Sequence, residues 1–267
     1  MGDGQRSTAA AVFRRVHESA PLPELLADAS RREEMALGLA AGDVFIVRNA
    51  VPAAWLHRVR DWLIDVGRNS LPAWHPIAAG APNSHRVNRW DTRSYVKGCF
   101  HQFVFFPWNQ DPFGLFDVVR PVFQLRNLLS GHRADTFLGP VPENGCTARL
   151  AFQYYPRGAG ALHTHCDPVG PHQLAVPSII CGRKGVDFEH GGLYVADGQG
   201  RRLELDADLD WGDAVFLNAA LPHGVAPIDP DADEDWLSFQ GRWMLLAAVN
   251  KIEGNSAIAD SRDMEAG

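Results

Sequence analysis

The chain has 267 residues, 46% of them hydrophobic and 21% charged, which allows one large domain with a sizeable core in an ordinary globular protein. Its net charge is −7 and no Lys/Arg-rich run interrupts the sequence, which argues against a nucleic-acid partner, because a phosphate backbone needs clustered cations. There is no apolar run of about 18 residues that would span a membrane. Met1 to Thr8 lack the apolar core of a secretory leader. The cysteines Cys99, Cys146, Cys166 and Cys181 show neither CxxC nor zinc-like spacing. Reduced thiols and a cytoplasmic location are the expectation.

In chain order, residues 1–40 read as helical, over 9–17 and 22–39, with a break at Pro21 and Pro23. A short apolar strand follows at 42–48, bounded by Gly42 and Asn49. Pro52 suits a helix's first turn, and Leu56, Val59, Trp62, Leu63 and Val66 form one apolar stripe at spacings of three and four, so this helix is expected to lie on the outside of a sheet. Residues 69–111, rich in Pro, Asn, Arg and aromatics, have no sustained period and read as a lid or binding loop. Within them, His85, Arg86, Arg89 and Trp90 are candidates to bind an anionic small molecule, whereas Trp74, Phe103, Phe105 and Phe106 read as core. Another helix, or two joined at Pro121, spans 113–129.

From Thr147 onward the pattern changes to short strands separated by turns, at 147–155, 174–181, 191–196, 202–205, 213–217 and 242–249. Closely spaced strands without intervening helices predict an antiparallel sandwich or jelly roll. The fold class is therefore mainly β with flanking helices. It is expected to be a single domain over 1–267, with a helical and lid-like part at 1–140 and a β core at 147–249.

The chemistry concentrates in His165-Cys166-Asp167, at the end of an aromatic-rich strand. Side chains two apart on a strand share a face, so His165 and Asp167 can reach one ion. His223, following the apolar run 214–217, supplies a third ligand. Two His and one carboxylate on one face, with the opposite positions open, form the facial triad of non-heme Fe(II) oxygenases.

Together with the Gly-Gly turn at Val186 to Leu193 and the Gly212-Asp213 lead-in to the strand before His223, this pattern resembles the double-stranded β-helix of the Fe(II)/2-oxoglutarate-dependent dioxygenases over about 147–249. The resemblance implies Fe(II), 2-oxoglutarate and O2 as metal, cosubstrate and oxidant, with a C–H bond of a small molecule, such as an amino acid or a specialised metabolite, hydroxylated or otherwise oxidised. His165, Asp167 and His223 are the implied catalytic ligands, and Arg242, which opens the last strand, is the implied partner of the far carboxylate of 2-oxoglutarate. The 242 − 223 = 19 spacing exceeds the usual ten or so, an excess assigned to the acidic loop 229–235, and Arg183 and Arg157 are alternative cations. Gln153 and Tyr155, sharing a strand face, and Asn218 are further candidates to donate to the cosubstrate.

His163 forms a His-x-His pair with His165, as in cupins, another double-stranded β-helix superfamily. No Glu follows closely, so His163 is assigned to the groups that support the metal ligands or to the substrate pocket, and a cupin-like metalloenzyme without 2-oxoglutarate is the alternative reading. His172 and His190 read as surface or turn histidines. Asp167 argues against the related halogenases, which have Ala or Gly at that position. Ala248, six residues after Arg242, does not match the nucleic-acid demethylases, which carry a second Arg there, and histone demethylases have a Lys in place of the Arg. The implied partner is a small molecule, with neither nucleic acid nor membrane involved. The oligomeric state is left open.

Overall fold

In a computed structural model, residues 11–265 are described. The strands are β1 (Val16–Glu18), β2 (Val44–Val47), β3 (Ser84–Arg89), β4 (Gly98–Phe105), β5 (Cys146–Pro156), β6 (Ala161–Cys166), β7 (Ala175–Ile180), β8 (Gly192–Ala196), β9 (Arg202–Glu204), β10 (Ala214–Asn218), β11 (His223–Ala226), β12 (Gly241–Lys251) and β13 (Arg262–Asp263). The helices are α1 (Leu22–Ala27), α2 (Ala29–Ala40), α3 (Ala53–Asn69) and α4 (Leu115–Leu129).

One side of a curled sheet runs β1-β2-β10-β7-β12-β5-β4, with β3 on β4, and the other runs β6-β11-β8-β9, with β13 on β6. Strand β4 joins the two by pairing with β5 along its length and with β6 at Gly98 and Cys99. All pairings are antiparallel except β1 with β2. This is the expected double-stranded β-helix.

Alternation along the central strands separates two environments. On β12, Trp243, Leu245, Ala247 and Val249 pack outward with Leu56, Val59 and Leu63 of α3 and Val119, Val122 and Phe123 of α4 in the largest core cluster. Met244, Leu246 and Ala248 face inward and line a cavity. Each large apolar side chain buried outside contributes about 1.5–3 kcal/mol, so this layer holds the walls while the interior stays free for chemistry.

Two expectations need correction. Part of the predicted helix at 9–17 lies outside the described residues, and Val16–Glu18 is a strand, because its backbone pairs with β2. The stretch 69–111 contains the β3–β4 hairpin, which periodicity did not show because β4 is buried on both faces. Of the two options for 113–129, the structure has the single helix, Leu115–Leu129, with Pro121 inside it. Its start is set by Asp111, whose carboxylate accepts from the Leu115 and Phe116 N–H groups at 2.7 and 2.9 Å. The four cysteines are buried and unpaired.

Candidate active site

Strands β6 and β11 lie side by side with His223 opposite His165, and the turn after β6 places Asp167 beside them. One ligand atom from each of His165, Asp167 and His223 lies within 4.8 Å of the others, with His223 Nε2 3.7 Å from Asp167 Oδ2. The Nδ1–H of His165 donates to the His163 carbonyl at 2.9 Å, and that of His223 to the Leu221 carbonyl at 2.8 Å. Each bond fixes the tautomer that leaves Nε2 as a lone-pair donor. Burial and the adjacent His165 push His223 down to about 4, which keeps the imidazole neutral and able to ligate. Burial opposes the charge on Asp167, but His165, His223, the Ser261 hydroxyl and Arg149 outweigh it and hold the carboxyl below its usual range.

The neighbours of the triad restrict how it can move. Ser261 Oγ donates to Asp167 Oδ1 at 2.6 Å, leaving Oδ2 on the histidine side. The Asp167 N–H donates to the Ala219 carbonyl at 2.7 Å, which ties the turn to the end of β10. Gln173 donates to the Pro168 carbonyl and accepts from the buried Arg126 of α4, so the loop after Asp167 is held from outside the barrel. The donor set fits a divalent first-row metal: neutral imidazoles, one ionised carboxylate and one open side.

A cavity of about 360 Å³ contains the triad, with Gln153, Tyr155, Arg86 and Arg149 on its wall. The Tyr155 hydroxyl donates to Gln153 Oε1 at 2.8 Å. Arg242 lies on the inward face of β12 but does not line the cavity. Its fork is engaged by the buried Asp206, with Nε–Oδ2 at 2.5 Å and Nη2–Oδ1 at 3.0 Å, while Nη1 is buried without a partner. The same Asp206 accepts from the Leu193 N–H at 2.6 Å. A Cβ on Gly192 (φ +121) would lie 2.3 Å from Asp206 Oδ2, which explains the glycine before Leu193.

Other candidates lie elsewhere. Asn218 faces α2, donating to the Leu39 carbonyl and accepting from the Ala220 N–H. Arg89 pairs with Glu234, and Trp90 is exposed beside His163. Arg157 pairs with Asp229, and Arg183 sits near Asp210 at the surface. His163 leaves the cavity because β6 carries a β-bulge: His223 pairs with His165 and Val225 with Leu162, so three steps on one strand oppose two on the other. Leu162 thus takes the inward place that strict alternation gave His163, which pairs with Asp263 instead. His172 sits in a turn, one of the two places expected for it, but not at the surface. It is buried, lines the cavity, and is pushed down to about 4 by burial. Trp74 and Phe106 line the cavity, whereas Phe103 and Phe105 are core.

Two wall residues, Arg149 and Ser261, escaped the sequence reading. Arg149 was within reach of it, since it shares strand parity with Gln153 and Tyr155. Ser261 was not, since nothing local marks it.

No family model matches the chain, and no curated protein does. Solved structures do. A Pseudomonas putida prolyl-4-hydroxylase is 14% identical with a TM-score of 0.53, covering 84% of this chain and 100% of that one. A full-length Neurospora crassa protein solved in complex with alpha-ketoglutarate is 11% identical with a TM-score of 0.54, covering 93% and 88%. The epimerase SnoN in complex with Fe3+, alpha-ketoglutarate and nogalamycin RO is 10% identical with a TM-score of 0.51, covering 84% and 85%. The chain has the fold of the Fe(II)/2-oxoglutarate-dependent oxygenases. At 93% of this chain, the Neurospora crassa match takes in N-terminal helices as well as the β-helix core.

Proposed function

We propose that this chain is an Fe(II)- and 2-oxoglutarate-dependent oxygenase that oxidises a C–H bond of a small molecule, with 2-oxoglutarate converted to succinate and CO2. The observation that carries the reading is the triad of His165, Asp167 and His223, with both Nδ1 atoms committed to backbone carbonyls and the remaining donors converging in a cavity. His165, Asp167 and His223 would hold the iron. The bound iron and cosubstrate supply the oxidising power for which side chains have no equivalent.

The chain's own residues orient and exclude. Ser261 keeps one Asp167 oxygen occupied, so the carboxylate offers the other in a fixed direction. Gln153 and Tyr155 would receive the far carboxylate of 2-oxoglutarate, with the free Nη1 of Arg242 as the cation behind them, its guanidinium carbon 5.8 Å from the Tyr155 ring centre. Met244, Leu246 and Val225 line the cavity with apolar surface, which keeps water from the reacting end. The cupin-like alternative loses support, because its second histidine, His163, points away from the triad.

The test is an anaerobic titration of the Fe(II)-loaded protein with 2-oxoglutarate, followed by the visible metal-to-cosubstrate charge-transfer band. The band is expected in the native chain and absent in Asp167→Ala. It should require about tenfold more 2-oxoglutarate in Tyr155→Phe, the loss of one hydrogen bond to a charged group. Iron binding without a band in the native chain would refute the proposal.

A further inference from the structure

Two arginines in the cavity have no counter-ion. Arg86, on β3, and Arg149, on β5, both line the cavity that holds the triad, and each has an Nε atom that is shut off from solvent and without a hydrogen-bond partner. No carboxylate among the described residues forms an ion pair with either guanidinium. Asp91, the acid whose charge Arg86 feels, is taken by Arg93 at 2.6 Å. Of the acids on the cavity wall, Asp167 is held by Ser261 and feels the charge of Arg149 without forming an ion pair with it, Asp260 pairs with Lys251 at 2.6 Å, and Glu253 forms no ion pair with either arginine. Burial lowers the pKa of both guanidiniums, and the charge of Arg86 adds to the effect on Arg149, which falls to about 10. An unpaired cation inside a protein is costly, and two side by side cost more, so the arrangement lacks an anion.

Arg149 lies away from the groups proposed for the cosubstrate, whereas Arg86, opposite Gln102, lies across β4 from Gln153. Arg149 and Tyr155 are six residues apart on one strand, so their Cα atoms are separated by about 20 Å of β5. Around the arginines the wall carries an apolar patch of Trp74, Ile77, Val104 and Phe106, together with the polar side chains of Ser84 and Gln102.

We propose that Arg86 and Arg149 together bind the carboxylate of the primary substrate, which is an organic acid with an apolar body, and present the rest of that molecule to the metal centre. The proposal rests on the oxygenase reading for what happens to the substrate, but not for its binding. A guanidinium pair offers parallel N–H donors to the two oxygens of one carboxylate, and the apolar patch accepts a hydrocarbon or aromatic body.

The experiment is calorimetric titration of the anaerobic Fe(II)-loaded, 2-oxoglutarate-saturated protein with a panel of acids, straight-chain carboxylates from butyrate to decanoate and 3-phenylpropionate. Each acid is paired with its amide. At least one acid is expected to bind, with its amide at least tenfold weaker. Arg86→Gln and Arg149→Gln should each weaken the acid by tenfold or more, Arg149→Lys should restore part of the loss, and 2-oxoglutarate affinity should stay within about twofold. Thermal melting separates this from a structural role. Removing an uncompensated buried charge should raise the Tm of the ligand-free protein, whereas removing a structural arginine lowers it. Equal binding of acid and amide, or no acid bound, overturns the proposal. A loss of 2-oxoglutarate affinity in the Gln variants overturns it too, assigns the arginines to the cosubstrate and leaves the oxygenase reading standing. If the native chain binds no 2-oxoglutarate, the same titration is run without it, and acid binding lost in the Gln variants supports the anion site while the oxygenase reading falls.

Discussion

The ion pair between Arg242 and Asp206 gives the sharpest stability prediction. Both side chains are almost fully buried, at 1% and 4% exposure, and the carboxylate also accepts from the Leu193 N–H. Asp206→Asn keeps the shape and an acceptor for Leu193 but removes the charge, leaving the guanidinium uncompensated. Breaking a buried pair in this way costs about 3–5 kcal/mol, whereas replacing both partners with neutral groups is often close to neutral. At roughly 2–4 °C per kcal/mol for a chain of this size, Tm should fall by about 6–20 °C. In Asp206→Asn/Arg242→Met most of that loss should return, because the two changes share one interaction and do not add. Differential scanning calorimetry of the native chain, both single variants and the double variant measures the coupling directly. A Tm loss under about 3 °C for Asp206→Asn, or a double variant as unstable as the sum of the singles, would show that the carboxylate does not neutralise Arg242. A functional corollary follows from the free Nη1. At a temperature where Asp206→Asn stays folded, 2-oxoglutarate should bind more tightly than to the native chain, since its carboxylate becomes the missing counter-ion.

Further expectations concern the metal centre and pH. Ser261→Ala should weaken Fe(II) or Mn(II) binding about 10–100-fold, measured by competition with a fluorescent chelator, because Asp167 loses the group that orients it. His163→Ala should leave metal affinity within about twofold in the same assay; a larger loss would place His163 among the ligands. Acid should destabilise the fold through the buried His85–His101 pair, linked at 2.9 Å. Burial pushes His85 down to about 4, and burial with the neighbouring His85 pushes His101 down to about 3. The unfolded chain therefore takes up protons first, and stability present above about pH 6.5 should be lost progressively as pH falls toward 4 and then 3. Urea denaturation at pH 7 and pH 5 checks this, and His101→Phe should flatten the dependence; an unchanged slope would exclude the pair as its source.

The three groups that the structure gathers as a candidate metal site could be picked out from the chain because the chemistry is local in sequence. His165 and Asp167 lie two apart, and His223 follows a recognisable apolar strand. The outer face of the barrel was open to reading at α3, whose apolar stripe follows from the helix period. What failed was whatever depends on a partner far along the chain. Strand alternation put His163 beside His165, but the bulge that removes it arises only from the register of β6 against β11. The hairpin β3–β4 was hidden because burial on both faces erases the period that would reveal a strand. Arg242 was placed on the correct strand and face from its position, yet its counter-ion, Asp206, comes from 36 residues earlier and is admitted by the absence of a side chain at Gly192. Ser261 reaches Asp167 from 94 residues away, through a terminal segment that pairs with β6. Sequence by itself determined which groups can bind a metal and which faces are buried, because those follow from residue type and short-range period. Only the tertiary structure decided which charges are already neutralised and which remain free, because a counter-ion is set by proximity in space.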